Sequence, residues 1–219
     1  MERPPSTDVE RARYIAVDGP IGVGKTALAE ILARRLGARL VREPEDNPFL
    51  AGFYQDPKRY AFQAQLFYLL SRYQQQGELS QQDLFAQGGV VSDYLFQRDR
   101  VFAQLNLGDS ELALYDKVYR LLHPQVVRPD LVVYLTARTE VLQERVARRA
   151  AGRTLPASYV AEVARSYAEF FFVWQECPLL VVNTSEIDFV GSPADQDDLV
   201  AVIRKTRGGT SHYNPLGSR

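Results

Sequence analysis

YIAVDGPIGVGKT, residues 14–26, opens on a short apolar run, Tyr14, Ile15, Ala16 and Val17, of the kind that forms a buried strand. Gly19 to Thr26, GPIGVGKT, follows at once and fits the spacing G-x-x-x-x-G-K-[ST] at every fixed position. Glycines let such a loop take positive φ and turn its N–H groups onto an anion. The expected phosphate-binding residues are therefore Gly19, Pro20, Ile21, Gly22, Val23, Gly24, Lys25 and Thr26. Lys25 brings a point charge to the outer phosphates, and the Thr26 hydroxyl suits Mg²⁺. The chain from Lys25 to Leu36 is helix-forming, which sets the phosphates at a helix N-terminus. Strand, loop and helix come in the order the motif requires, so a chance glycine turn is the weaker reading. The stretch implies binding of a nucleoside triphosphate.

Working outward, Leu28, Ile31, Leu32 and Leu36 recur at helical spacing, and Gly37 suits the helix end. Ala38–Val41 reads as a second strand, stopped by Arg42-Glu43-Pro44. Glu43 then lies at a strand's carboxyl end, where open α/β sheets place their ligands. A long helix is expected from Lys58 to about Gln76, with a separate helical piece from Ser80 to Phe85. Gln65 and Arg72 are seven apart on the long helix, so they share a side about 10 Å apart along the axis. Val90–Asp93 is a third strand with Asp93 at its carboxyl end. Helices follow from Arg98 to Leu107 and from Ser110 to Val126. Leu131–Leu135 is a fourth strand, and a helix from Thr139 to Ala151 carries Arg145, Arg148 and Arg149 ahead of Arg153. Ser158–Glu176 is helical, Leu179–Val182 is a fifth strand, and Asp195–Arg207 is a last helix. The alternation predicts an α/β fold: one domain with a five-stranded parallel sheet flanked by helices. Residues 1–12 and 208–219 are expected to be loose ends.

The totals narrow the function. The chain has 219 residues, 46% hydrophobic and 24% charged, with a net charge of −1. That excludes a whole-chain basic field for nucleic acid. No apolar run approaches the ~20 residues of a membrane helix, and the polar start is not a secretory signal. One cysteine, Cys177, forms no internal disulfide and fits a reducing, cytoplasmic setting. His123, His212 and Cys177 are too few for a structural zinc site.

The segment REPEDNPFLAGFYQDPKRYAFQAQLFYLLSRY, residues 42–73, resembles the deoxynucleoside kinase family, whose members phosphorylate deoxycytidine, deoxyguanosine and deoxyadenosine. The resemblance runs from Tyr14 to about Val190. Its specific parts are the Glu-Pro after the second strand, the Tyr-x-x-Pro before the long helix, and the Gln–Arg pair on that helix. It implies a nucleoside/nucleotide-kinase-like P-loop fold with a lid, ATP and Mg²⁺ as cofactors, and a homodimer through the helices around 62–76 and 110–126.

The resemblance also implies roles. Glu43 matches the catalytic base, Tyr54 the contact to the sugar 3′-hydroxyl, and Gln65 the reader of the base edge. Gln63 is a rival for that last role. Arg72 and Asp99 match the pair that completes base recognition in several members. Phe62, Phe67 and Phe96 stand as alternatives between base stacking and core packing. Asp93 matches the acid that holds Mg²⁺ with Thr26. Tyr94 occupies the position where the family carries an Arg, so another cation supplies that contact or it is absent. Arg145, Arg148, Arg149 and Arg153 resemble the arginine-rich lid, with Arg145 and Arg149 closest to the family spacing. Asn183–Phe189, including Asp188 and Phe189, resembles the loop around the ATP adenine. The lid Glu that some members use on the sugar has no clear counterpart.

The expected activity is transfer of the ATP γ-phosphate to the 5′-hydroxyl of a 2′-deoxynucleoside, deoxyadenosine or deoxyguanosine before deoxycytidine. Two alternatives stay open. One is a nucleoside monophosphate kinase of the thymidylate kinase type, with Arg42, Arg98 and Arg100 as its acceptor-phosphate cations. The other is a non-catalytic P-loop regulator.

Overall fold

A computed structural model describes residues 14–82, 89–149 and 155–215. The chain runs β1 (Tyr14–Asp18), α1 (Lys25–Leu36), β2 (Arg39–Val41), α2 (Leu50–Gln55) and α3 (Pro57–Gln82). It continues with β3 (Val90–Ser92), α4 (Asp99–Asn106), α5 (Asp109–Leu122), β4 (Leu131–Thr136) and α6 (Thr139–Arg149). It closes with α7 (Ala157–Phe172), β5 (Leu179–Asn183), α8 (Pro193–Lys205) and β6 (Thr210–Tyr213).

The strands form one sheet in the order β2-β3-β1-β4-β5-β6, with every pairing parallel. Among the described residues the sheet therefore has six strands where five were expected. The extra one is β6, inside a tail expected to be loose. Its sequence, TSHY, carries no apolar alternation; it is ordered by pairing with Leu179–Val182 of β5. Residues 1–12 lie outside the described residues. As far as Gln82 the two helical pieces expected on either side of Gly77 are one helix, α3, held across the polar run by buried Gln76 and Leu79, and residues 83–85 of the second piece lie outside the described residues.

Period-two alternation in β1 divides the core. Ile15 and Val17 join one apolar cluster, with Leu28, Ile31 and Leu32 of α1 and Leu199 and Ile203 of α8. Tyr14 and Ala16 join the other, with Val163, Tyr167 and Phe171 of α7 and Val101 of α4. A strand buried on both faces is what a continuous apolar run predicts. Beyond β1 the chain goes first to β2 on one side and later to β4 on the other. That reversal opens a crevice above the carboxyl ends of the strands. Asp18, Glu43 and Asp93, which follow or end β1, β2 and β3, stand along this edge.

Candidate active site

The glycine loop is shaped by contacts only glycine permits. Gly19 has φ 153° and Gly24 φ 104°. A Cβ on Gly19 would stand 2.3 Å from the Leu135 carbonyl oxygen, and one on Gly24 2.9 Å from the Phe189 ring. Gly19→Ala is expected to destabilise the fold by about 2–4 kcal/mol. In a chain of this size that lowers Tm by roughly 4–16 °C, and an unchanged thermal melt would contradict it. α1 follows Gly24, and among the described residues no side chain caps its first amides and no acid lies in its first turn. Its positive end is thus left facing the loop.

The two polar residues of the motif are held in place. Lys25 Nζ donates to the carbonyls of Gly19 (2.9 Å) and Pro20 (3.3 Å). Thr26 Oγ1 donates to Asp93 Oδ2 at 2.7 Å, while Asp93 Oδ1 accepts the Glu43 N–H at 2.6 Å. One carboxylate thus ties the loop helix to the residues after β2.

Beside the loop lies a chain of alternating charges: Asp18, Arg98, Glu43, Arg72, Asp99. Arg98 Nε donates to Asp18 Oδ2 at 3.0 Å and its Nη2 to Glu43 Oε1 at 2.6 Å. Arg72 bonds Glu43 with one nitrogen and Asp99 with another. Four of the five side chains are buried; Glu43 keeps 31% exposure and opens to solvent. Burial alone would raise the Glu43 pKa, but the charges of Arg98, Arg72 and Lys25 hold it well below the usual carboxylate range. Glu43 is therefore ionised.

A cavity of about 150 Å³ runs from this network into the helices. Lys25, Glu43, Tyr54, Gln65, Arg72 and Arg98 line it, with Phe53, Tyr68, Phe102, Leu155 and Tyr159. Gln65 is 5% exposed and faces the cavity, whereas Gln63 lies on the solvent side of α3. Asp99 does not line the cavity; it lies behind Arg72. The cationic face of Arg72 is further held over the rings of Tyr68 (4.9 Å) and Tyr94 (5.7 Å). Phe62, Phe67 and Phe96 pack elsewhere. Phe62 belongs to the cluster around α5, Phe67 meets Phe49, and Phe96 stacks on Tyr119. The aromatic walls are instead Phe53, Tyr68, Phe102 and Tyr159, which spacing around the glycine loop cannot single out.

On the other side of the loop a second cavity, about 210 Å³, is lined by Gly22, Val23, Gly24, Arg145, Arg148, Asp188 and Phe189. Arg145 donates to the Thr184 hydroxyl (3.1 Å) and carbonyl (2.8 Å), which fastens α6 to the loop after β5. The Asp188 carboxylate accepts the N–H groups of Val190 and Gly191 and shapes that loop. Arg148 pairs with Glu144 at 2.7 Å on the exposed face. The Arg149 side chain and Arg153 lie outside the described residues.

The sheet order, the loop on its central strand and the carboxylate cavity beside it define a P-loop NTPase of the nucleoside and nucleotide kinase type. The chain belongs to the deoxynucleoside kinase family, whose model, described as deoxynucleoside kinase, matches residues 15–206. It is 31% identical over 201 residues to a deoxyguanosine kinase of Bacillus subtilis, covering 89% of this chain and 97% of that one. It is 36% identical over 200 residues to a deoxyadenosine kinase of Dictyostelium discoideum, covering 87% and 78%. In fold it is similar to the deoxyadenosine kinase from M. mycoides with bound dATP, at TM-score 0.73 and 22% identity, covering 87% and 98%.

Proposed function

We infer that the chain transfers the γ-phosphoryl group of ATP to the 5′-hydroxyl of a purine 2′-deoxynucleoside, deoxyadenosine or deoxyguanosine, with deoxycytidine next. The observation that carries this is one cavity that holds a phosphate-binding lysine, an ionised carboxylate and an inward amide: Lys25, Glu43 and Gln65. The relatives from Bacillus and Dictyostelium, a deoxyguanosine and a deoxyadenosine kinase, support the purine preference.

In this reading the loop amides and Lys25 hold the triphosphate at the start of α1. Glu43 orients the 5′-hydroxyl and accepts its proton while the oxygen attacks the γ-phosphorus. The bond to the bridging oxygen breaks, and ADP leaves with that electron pair. Gln65 offers a donor and an acceptor to the base edge. Arg72, fixed by Asp99, offers a second pair of donors. Tyr54 stands near the sugar. Arg145 and Arg149 stabilise charge from the lid side, and Asp188 and Phe189 flank the adenine. Thr26 and Asp93 put two oxygens together at the loop, a donor set that suits Mg²⁺, since this ion takes its other ligands from phosphates and water. When bound, Mg²⁺ neutralises the charge of the transferring phosphates.

Arg42 pairs with Glu30 and Arg100 with Asp116, and neither lines the cavity. This leaves the monophosphate kinase alternative without two of its three cations. We read the chain as one cytoplasmic domain that pairs through α3 and α5, where Leu70, Leu114 and Leu121 are exposed. Among the described residues no helix is long and apolar enough to cross a membrane.

A panel of deoxynucleosides and their monophosphates, read by ADP release, tests this. Deoxyadenosine or deoxyguanosine is expected to exceed thymidine in kcat/KM by about 10²-fold or more. Turnover of monophosphates alone would replace the reading with a monophosphate kinase. No ADP release with any acceptor would replace it with a regulator.

A further inference from the structure

Position 94 carries no cation here. Tyr94 is fully buried in the second apolar cluster with its ring against Arg72. Among the described residues the acceptor cavity has three cations in its wall: Lys25, Arg72 and Arg98. Lys25 is bonded to the loop carbonyls and serves the phosphates. Arg72 is fixed by Asp99 on the side of Gln65.

Arg98 differs in its anchor. It closes a 3₁₀ turn, Phe96–Arg98, and its guanidinium is 3% exposed, with its face 5.1 Å from the Phe102 ring. Its Nε is held by Asp18, and Asp18 is itself immobilised. Asp18 also accepts the N–H of Gly19 (2.7 Å), the N–H of Leu95 (2.8 Å) and the hydroxyl of Tyr167 (3.1 Å). The first residue of the glycine loop, the chain after β3 and α7 all fix the acid that fixes Arg98. Its Nη2 then reaches Glu43 at 2.6 Å. Arg98 is thus a strut from the end of β1 to the residue after β2, crossing over β3.

We propose that Arg98 is the positioning cation of the acceptor site. It holds the Glu43 carboxylate aimed into the cavity from an anchor at the end of β1. The proposal rests on Glu43 being the acceptor-side carboxylate of the reaction.

A mutant cycle on the full-length chain separates this role from a structural one. Arg98→Gln is expected to lower kcat about 10²-fold, with ATP binding, read by fluorescent-nucleotide titration, within about 3-fold of wild type. On a Glu43→Gln background the same change is expected to cost less than about 3-fold, because the partner is already gone. Arg98→Lys keeps the charge beside Asp18, but a single ammonium cannot span both acids. It is expected to keep Tm near wild type and still lose about tenfold in kcat. This variant decides the matter if Arg98→Gln does not fold. An equal loss in both backgrounds would overturn the proposal, as would Arg98→Lys with kcat within about 3-fold of wild type. Near-normal turnover in Glu43→Gln alone would overturn both the proposal and the assignment of Glu43. Inactive Glu43→Gln beside active Arg98→Gln and Arg98→Lys would overturn the proposal and leave that assignment standing.

Discussion

Glu43→Gln is expected to lower kcat by about 10²–10⁴-fold while the triphosphate still binds. Among the described residues this carboxylate is the one acid that lines the cavity holding Lys25 and Gln65, and it is ionised. Glutamine has the same shape and retains a carbonyl oxygen for the two arginines, but it cannot take a proton from an attacking hydroxyl. The fold should survive, because Arg98 keeps Asp18 and Arg72 keeps Asp99 as counter-charges. Nucleotide binding should survive because the loop amides and Lys25 do not depend on Glu43 for their geometry. Steady-state turnover and nucleotide titration together check this. A kcat within about threefold of wild type would take Glu43 out of the chemistry.

Asp18→Asn is expected to be the most damaging single change to stability in the site. Asp18 is fully buried and accepts four hydrogen bonds, one of them from the Arg98 guanidinium. An amide has one acceptor oxygen, and its NH₂ group meets donors that have nowhere else to turn. Arg98 loses its anchoring charge while remaining 3% exposed. Breaking a buried ion pair by removing one partner costs about 3–5 kcal/mol, which for about 200 residues is a Tm loss of roughly 6–20 °C. A melt within about 2 °C of wild type would show that the network does not hold the site together.

Several features were open to reading in the chain itself because each is local. The strand, the glycine loop and the start of α1 form one continuous segment, and the backbone geometry they need is written in residue type. The proline that stops β2 put Glu43 at a strand's carboxyl end, but the roles expected of Glu43 and Gln65 came from the resemblance to the family; spacing on α3 only favoured Gln65 over Gln63. β6 was missed for the opposite reason. Thr210–Tyr213 alternates between exposed and half-buried positions with only Tyr213 offering apolar surface to the core, so no sequence periodicity marks it and pairing with the edge of β5 makes it a strand. The aromatic walls were also missed. Phe53, Phe102 and Tyr159 come from α2, α4 and α7, and no spacing rule connects them. Asp18, between the first strand and the glycine loop, was given no role, and Arg98 was read only as a cation for an alternative acceptor.

The sequence by itself thus determined a parallel α/β sheet with a phosphate loop on its first strand and an acid after its second. Short-range sterics and hydrophobic periodicity suffice for those. The tertiary structure alone decided how five charges from four separate places in the chain pair with one another above the sheet edge. It also decided which glutamine of α3 faces inward and which arginine reaches Glu43. Such choices depend on distances across strands, and burial turns them into energies of several kcal/mol.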